Sequence, residues 1–112
     1  MIVTIFRSRL RPEHSVEYGA MAADMSALAQ TMPGYVSHQT FAAEDGERVT
    51  IVAFKTMQAH LAWAKHPRHR ETQEVGQERF YLEYHIEGCA VAGYYDFLAE
   101  ARDTDQRNWP KK

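Results

Sequence analysis

The chain of 112 residues contains one cysteine, Cys89, so it forms no internal disulfide. It has no apolar run approaching the ~20 residues that a membrane-crossing helix needs. Lys and Arg total 13 against 15 Asp and Glu, and no basic stripe gathers anywhere, which argues against a nucleic-acid partner. No glycine-rich phosphate loop occurs, so flavin and nicotinamide binding have no support. Internal repeats and low-complexity segments are absent. Met1 leads directly into a strand-like segment with no signal-peptide pattern. The expectation is a cytoplasmic protein with neither membrane nor nucleic acid as partner.

What the chain does have is an ordinary globular composition, 45% hydrophobic, and a length that suits one domain. A chain of this size buries roughly two-thirds of its unfolded surface, enough for one core. Residues 2–10, IVTIFRSRL, are β-branched and aromatic, and read as a strand. Ile2, Thr4, Phe6 and Ser8 share one face of it, and Val3, Ile5, Arg7 and Arg9 the other. Pro12 ends the strand and suits a first helical turn. From Glu13 to about Gln30, Tyr18, Met21, Met25, Leu28 and Met32 recur at spacings of three and four, with Ala22 and Ala29 beside them, and predict one helix. Pro33-Gly34 stops it.

Residues 35–43 alternate as a second strand, Asp45-Gly46 marks a hairpin turn, and Arg48 to Lys55 returns as a central strand. Two short helices, 57–65 and 68–77, are predicted on either side of His66-Pro67. A long strand follows over 79–92, with Phe80, Leu82, Tyr84 and Ile86 on one face and Tyr81, Glu83, His85 and Glu87 on the other. Gly88 is read as a bulge. The order βαββαβ, with a split second helix, is the ferredoxin-like α+β pattern of four antiparallel strands. Its helices cover one side of the sheet. Val3 and Ile5 lie on the other, so a second copy, sheet against sheet, is the expected cover and a homodimer the expected assembly. Tyr94, Tyr95, Phe97 and Leu98 form an aromatic cluster that should dock. The segment 99–112 is a polar tail.

The most informative stretch runs from Thr56 to Tyr84: a short helix carrying Trp63, His-Pro-x-His-Arg at 66–70, a second helix, and Phe-Tyr-x-x-Tyr from Phe80. Together with the strand-1 opening, the Pro-Gly after the first helix and Phe54-Lys55, this order resembles the antibiotic biosynthesis monooxygenase family. The resemblance implies a dimeric α+β barrel with its domain over residues 1–98. It implies cofactor-free oxidation of a phenolic or quinol-like aromatic by dioxygen. A non-catalytic dimeric domain that binds a small molecule is the alternative from another class. Haem binding or degradation is a third reading. The haem-degrading branch of the family uses an Asn on strand 1, a Trp at the end of the helix after strand 3, and an axial His ten residues later. Ser8 stands at the first position, Trp63 matches the second, and Gln73 stands at the third. An amide is a poor iron ligand beside imidazole, so no tight haem complex is expected.

Trp63 reads either as a core residue or as a pocket wall that stacks an aromatic, its N–H a donor. With Ser8 and Gln73 it forms the expected catalytic set. Phe6, Phe54 and Tyr84 are the expected substrate-binding residues. His60, His66 and His69 lack a metal-site spacing, and solvent-facing or capping roles are expected for them, with no metal and no cofactor. His38 and His85 lie on strands. Either is an interface residue or a base for a phenolic proton. Arg68 and Arg70 read as a solvated face paired with Glu71 and Glu74. Cys89 has no His partner to activate it.

Overall fold

A computed structural model describes residues 1–99 of the protein. Its elements are β1 (Ile2–Leu10), α1 (Ser15–Thr31), β2 (Tyr35–Ala42), β3 (Arg48–Phe54), α2 (Met57–Ala64), α3 (Pro67–Arg79) and β4 (Tyr81–Ala90). The four strands make one antiparallel sheet in the order β2-β3-β1-β4, so the two central strands are those richest in β-branched residues. This is the ferredoxin-like fold. The expected tail lies outside the described residues apart from Ala99.

Local chemistry sets the element ends. α1 starts at Ser15, two residues later than Glu13, because His14 adopts a left-handed conformation (φ 62°) and closes a turn first. Gly34 has φ 82°, and a Cβ there would lie 2.6 Å from the Cβ of Ala59. Only glycine satisfies both the turn and the close approach to α2. Thr56 caps α2 by accepting from the Ala59 N–H. The side chain of His66 does the same for α3, accepting from the Arg68 N–H, and Pro67 occupies the first turn. Pro67 therefore begins α3 and is not part of a spacer.

β4 departs from the expected parity. Its pairing with β1 is regular from Ala90 through Gly88 to Glu83, and the register shifts between Arg9 and Leu10. The irregularity falls at Leu82, not at Gly88. One extra residue turns Tyr81 onto the face that carries Tyr84, with ring centroids 5.4 Å apart.

The core lies between the helices and the sheet, built on Ala29, Phe54 and Trp63, with Met25, Leu28 and Val52 against them. Phe54 is 0% exposed, and its burial contributes about 2–3 kcal/mol. The other face of the sheet carries Val3, Ile5 and Ala53 with Ile51, 39% exposed, and Phe41, 50% exposed. The cluster expected to dock, Tyr94, Tyr95, Phe97 and Leu98, is exposed after β4. Arg7 and Arg9 on this face reach the hairpin carboxylates Glu47 and Asp45, each at 2.8 Å. Among the described residues no helix is long and apolar enough to cross a membrane.

Candidate functional site

A cavity of about 500 Å³ opens between the helices and the covered face of the sheet. Small side chains make it. The inner stripe of α1 carries Ala22 and Ala29 between its methionines, and α2 contributes Ala64, so the layer does not close on the strands. β1 supplies Thr4 and Phe6 to the floor, while α3 supplies His69, Thr72 and Gln73, which share one helical face. None of the lining residues is an aspartate or glutamate.

The cavity has two chemically different ends. At one, Trp63 forms the wall, and the ring of His69 stacks on the indole at 4.1 Å between centroids and 14° between planes. The Nδ1 of His69 lies 3.1 Å from the carbonyl oxygen of Trp63. A carbonyl oxygen only accepts, so Nδ1 carries the proton and donates. Burial holds the His69 pKa below its ordinary value. His66 adds to the effect, and the bond to Trp63 opposes it. The ring is then neutral at pH 7, and Nε2 keeps its lone pair. No described side chain occupies that nitrogen. His60 stands one turn before Trp63, tied through Nδ1 to the Thr4 hydroxyl at 3.2 Å.

At the other end, Arg48 begins β3 directly opposite Ser8 of β1. Its guanidinium lies 5.7 Å from the centre of the Tyr18 ring. Its Nε is buried and bonds to no described group. Tyr81 and Tyr84 pack edge-to-face beside Phe6. Burial first, then Tyr18, raises the Tyr81 pKa well above its ordinary value, so the phenol stays protonated and can donate. The Tyr84 hydroxyl is fixed by the Gln77 amide, which donates to it. Gly76 of α3 makes room for this end, since a Cβ there would meet the Tyr81 ring at 2.6 Å. His69 and Gly76, the α3 residues at the two ends, are seven residues apart, roughly 10 Å along the helix axis.

Trp63, Gln73, Phe6 and Tyr84 all line the cavity, so the structure brings four of the expected site residues together. Ser8 is 3% exposed and lies in the sheet between Arg48 and Tyr84, outside the lining. Phe54 packs beneath Trp63 in the core and presents no surface to a ligand. His66 is a cap, but His69, expected to face solvent or to cap, is half-buried under the indole. His38 faces the cavity with both nitrogens engaged, by Ser26 at 2.8 Å and Tyr35 at 2.7 Å. His85 is exposed on the opposite face. Arg68 and Arg70 are exposed and form no ion pair with Glu71 or Glu74. The residues that spacing alone missed are Arg48, Tyr81 and His69. Only the bulge at Leu82 reveals Tyr81, and only the strand register reveals Arg48.

Residues 1–75 match the family model described as antibiotic biosynthesis monooxygenase. The uncharacterized protein YqjZ of Bacillus subtilis (strain 168) is 28% identical over 84 residues, 75% of this chain and 74% of that protein. Among solved structures, Rv0793 from Mycobacterium tuberculosis superposes with a TM-score of 0.71 at 18% identity, covering 80% of this chain and 93% of that one. SnoaB from Streptomyces nogalater, a cofactor-independent oxygenase solved as a mutant, gives 0.69 at 14% identity, covering 80% and 91%. At these identities the two superpositions establish a common fold.

Proposed function

Because the chain belongs to the antibiotic biosynthesis monooxygenase family, we propose that it is a cofactor-independent monooxygenase that oxidises a phenolic or quinol-like aromatic in the cavity between Trp63 and Tyr81. The observation that carries this reading is His69. It is a neutral imidazole, anchored by Nδ1 and stacked on an indole, with a free lone pair on Nε2 at the wall of an apolar space. Such a nitrogen takes a phenolic proton. Once deprotonated, an electron-rich hydroquinone can pass an electron to dioxygen, and the resulting radicals combine at a ring carbon. Loss of water then leaves the hydroxyquinone. The substrate loses two hydrogen atoms and gains one oxygen atom, and the second oxygen atom of dioxygen departs in the water. The substrate supplies every electron. The protein supplies the base, the Gln73 amide and Tyr81 hydroxyl as lining donor groups, and largely apolar walls around the reacting ring.

Oxygen-electrode measurements with a panel of hydroquinones, naphthols and anthrone-type compounds test the proposal. Saturable oxygen consumption, lost in His69→Phe, is the expected result. Saturable quenching of indole fluorescence with no oxygen consumption across the panel would instead make this a binding domain.

The free Nε2 of His69 also favours a second reading, haem binding, because an imidazole anchored at Nδ1 has the form of an axial ligand. A Soret titration separates the two. A weak, broad band indifferent to His69→Ala is expected, whereas a sharp one-to-one band lost in that variant would establish haem.

The reading includes a homodimer. A second copy would cover Ile51 and Phe41, which a monomer leaves in water. An interface above ~1,000 Å² is expected, as for stable pairs. Light scattering returning a monomer at micromolar concentration would remove it.

A further inference from the structure

Arg48 is a charged residue in the wall of a cavity that contains no acidic residue, and it has no counterion among the described residues. The other arginines that form ion pairs find them on the surface: Arg7 with Glu47, Arg9 with Asp45 and Glu83, Arg79 with Glu17. Nothing comparable meets Arg48 among the described residues, and its Nε is buried without an acceptor. An unmade bond at a buried donor is costly, the more so on a charged group, and the fold bears that cost at a place where the sheet could have carried an aliphatic side chain. Tyr18 covers the guanidinium at 5.7 Å and supplies attraction without satisfying its N–H groups. Tyr81, kept protonated by burial and by Tyr18, closes the same end. A planar fork of N–H donors in an apolar wall matches a carboxylate.

We propose that the Arg48 end of the cavity receives the carboxylate of the substrate, which is therefore an aromatic acid whose oxidisable phenol lies at the opposite end, at His69. The inference rests on the reading that the phenol docks at the His69 end. It goes further in assigning the opposite end a ligand class and Arg48 the role of selecting it. The α3 residues that mark the two ends, His69 and Gly76, stand about two helical turns apart, a span that suits two or three fused rings, or two linked ones. The approximately 500 Å³ of space accepts that size. A single-ring hydroquinone would reach one end only.

The test is calorimetric titration of the full chain with 6-hydroxy-2-naphthoate, which carries a phenol and a carboxylate at opposite ends of two fused rings, and with its neutral carboxamide, 6-hydroxy-2-naphthamide. The wild type is expected to bind the carboxylate at least about tenfold more tightly, the weight of one charge-assisted hydrogen bond. Arg48→Gln should erase the preference while leaving the carboxamide bound as in the wild type, which also shows that the cavity is intact. Arg48→Lys keeps the charge but not the fork, and should cut the preference severalfold. It decides the matter should Arg48→Gln fail to fold. Equal affinities in the wild type, no binding of either probe, or a preference that survives substitution of Arg48 would overturn the proposal. No turnover is read in these titrations. Oxygen consumption without a carboxylate preference would sink this inference and leave the monooxygenase reading standing, and the converse result would do the opposite.

Discussion

The two ends of the cavity differ in how their polar groups are held. At the Trp63 end the hydrogen bonds that matter are made within the protein: His69 to the Trp63 carbonyl, His60 to Thr4. They leave one lone pair over. At the Tyr81 end the Nε donor of Arg48 has no acceptor among the described residues. An acceptor at one end and a guanidinium at the other, across apolar walls, form a polarised slot. The difference teaches that the cavity carries distinct polar groups at its two ends. A gap lined by aliphatic side chains throughout would have neither a guanidinium in its wall nor an anchored imidazole.

The comparison breaks most severely at Trp63. The indole closes the core with Ala29 and Phe54 and also forms the cavity wall, so Trp63→Ala enlarges a space already open. A loss of about 3 kcal/mol of folding stability is expected, at the low end for a buried aromatic because one side already faces the cavity. Urea unfolding measures it. A loss below about 1 kcal/mol would mean that the indole supports the site and not the core.

His69→Phe keeps the stack on Trp63 and removes the base. Oxygen consumption is expected to fall by roughly 100-fold, the usual contribution of general base catalysis. In the wild type the His69 pKa lies below 6.5 because burial disfavours the charged ring. The neutral, active form is therefore the major one above 6.5 and is lost as pH falls through the lowered value. kcat/KM should hold level near pH 8 and fall along an acid limb centred below 6.5. An acid limb centred above 6.5 would contradict the assignment.

The other end is sharpened by Gly76→Ala. The added methyl would meet the Tyr81 ring at 2.6 Å and must displace it. Overpacking of this kind costs about 1–3 kcal/mol, offset in part by the ~1 kcal/mol that alanine contributes to helix stability over glycine. A net loss of about 1 kcal/mol is expected in urea unfolding, with binding of 6-hydroxy-2-naphthoate weakened more than binding of the carboxamide. Equal weakening of the two would show that Tyr81 acts as filler.

The same contrast explains what could be read from the sequence. The fold was legible because its signals are local: alternation in β1 and β2, the three-and-four spacing of α1, Asp45-Gly46, and Pro67 at a helix start. The Trp63 end was partly legible for the same reason, since Trp63 and Gln73 sit at fixed distances along one helical pair. His69 was not, because its role comes from a stack and a carbonyl bond across the break at Pro67. Parity along β4 assigned Tyr81 to the wrong face, since a bulge at Leu82 has no glycine or proline to announce it. Arg48 looked like the polar start of a strand, and only pairing with Ser8 turns it inward. The cavity itself is a matter of missing volume at Ala22, Ala29 and Ala64, and a helical stripe does not distinguish a small residue that packs from one that leaves room.

Incubation of the protein with a hydroquinone substrate identified by oxygen consumption, under 18O-labelled dioxygen, tests the central claim most directly. With protein stripped by a chelator and free of flavin absorbance, the product should gain one labelled oxygen atom per molecule and the other atom should appear in water, with both outcomes lost in His69→Phe. An unlabelled product, or label incorporated at an undiminished rate in His69→Phe, would contradict the assignment of this cavity as a monooxygenase site.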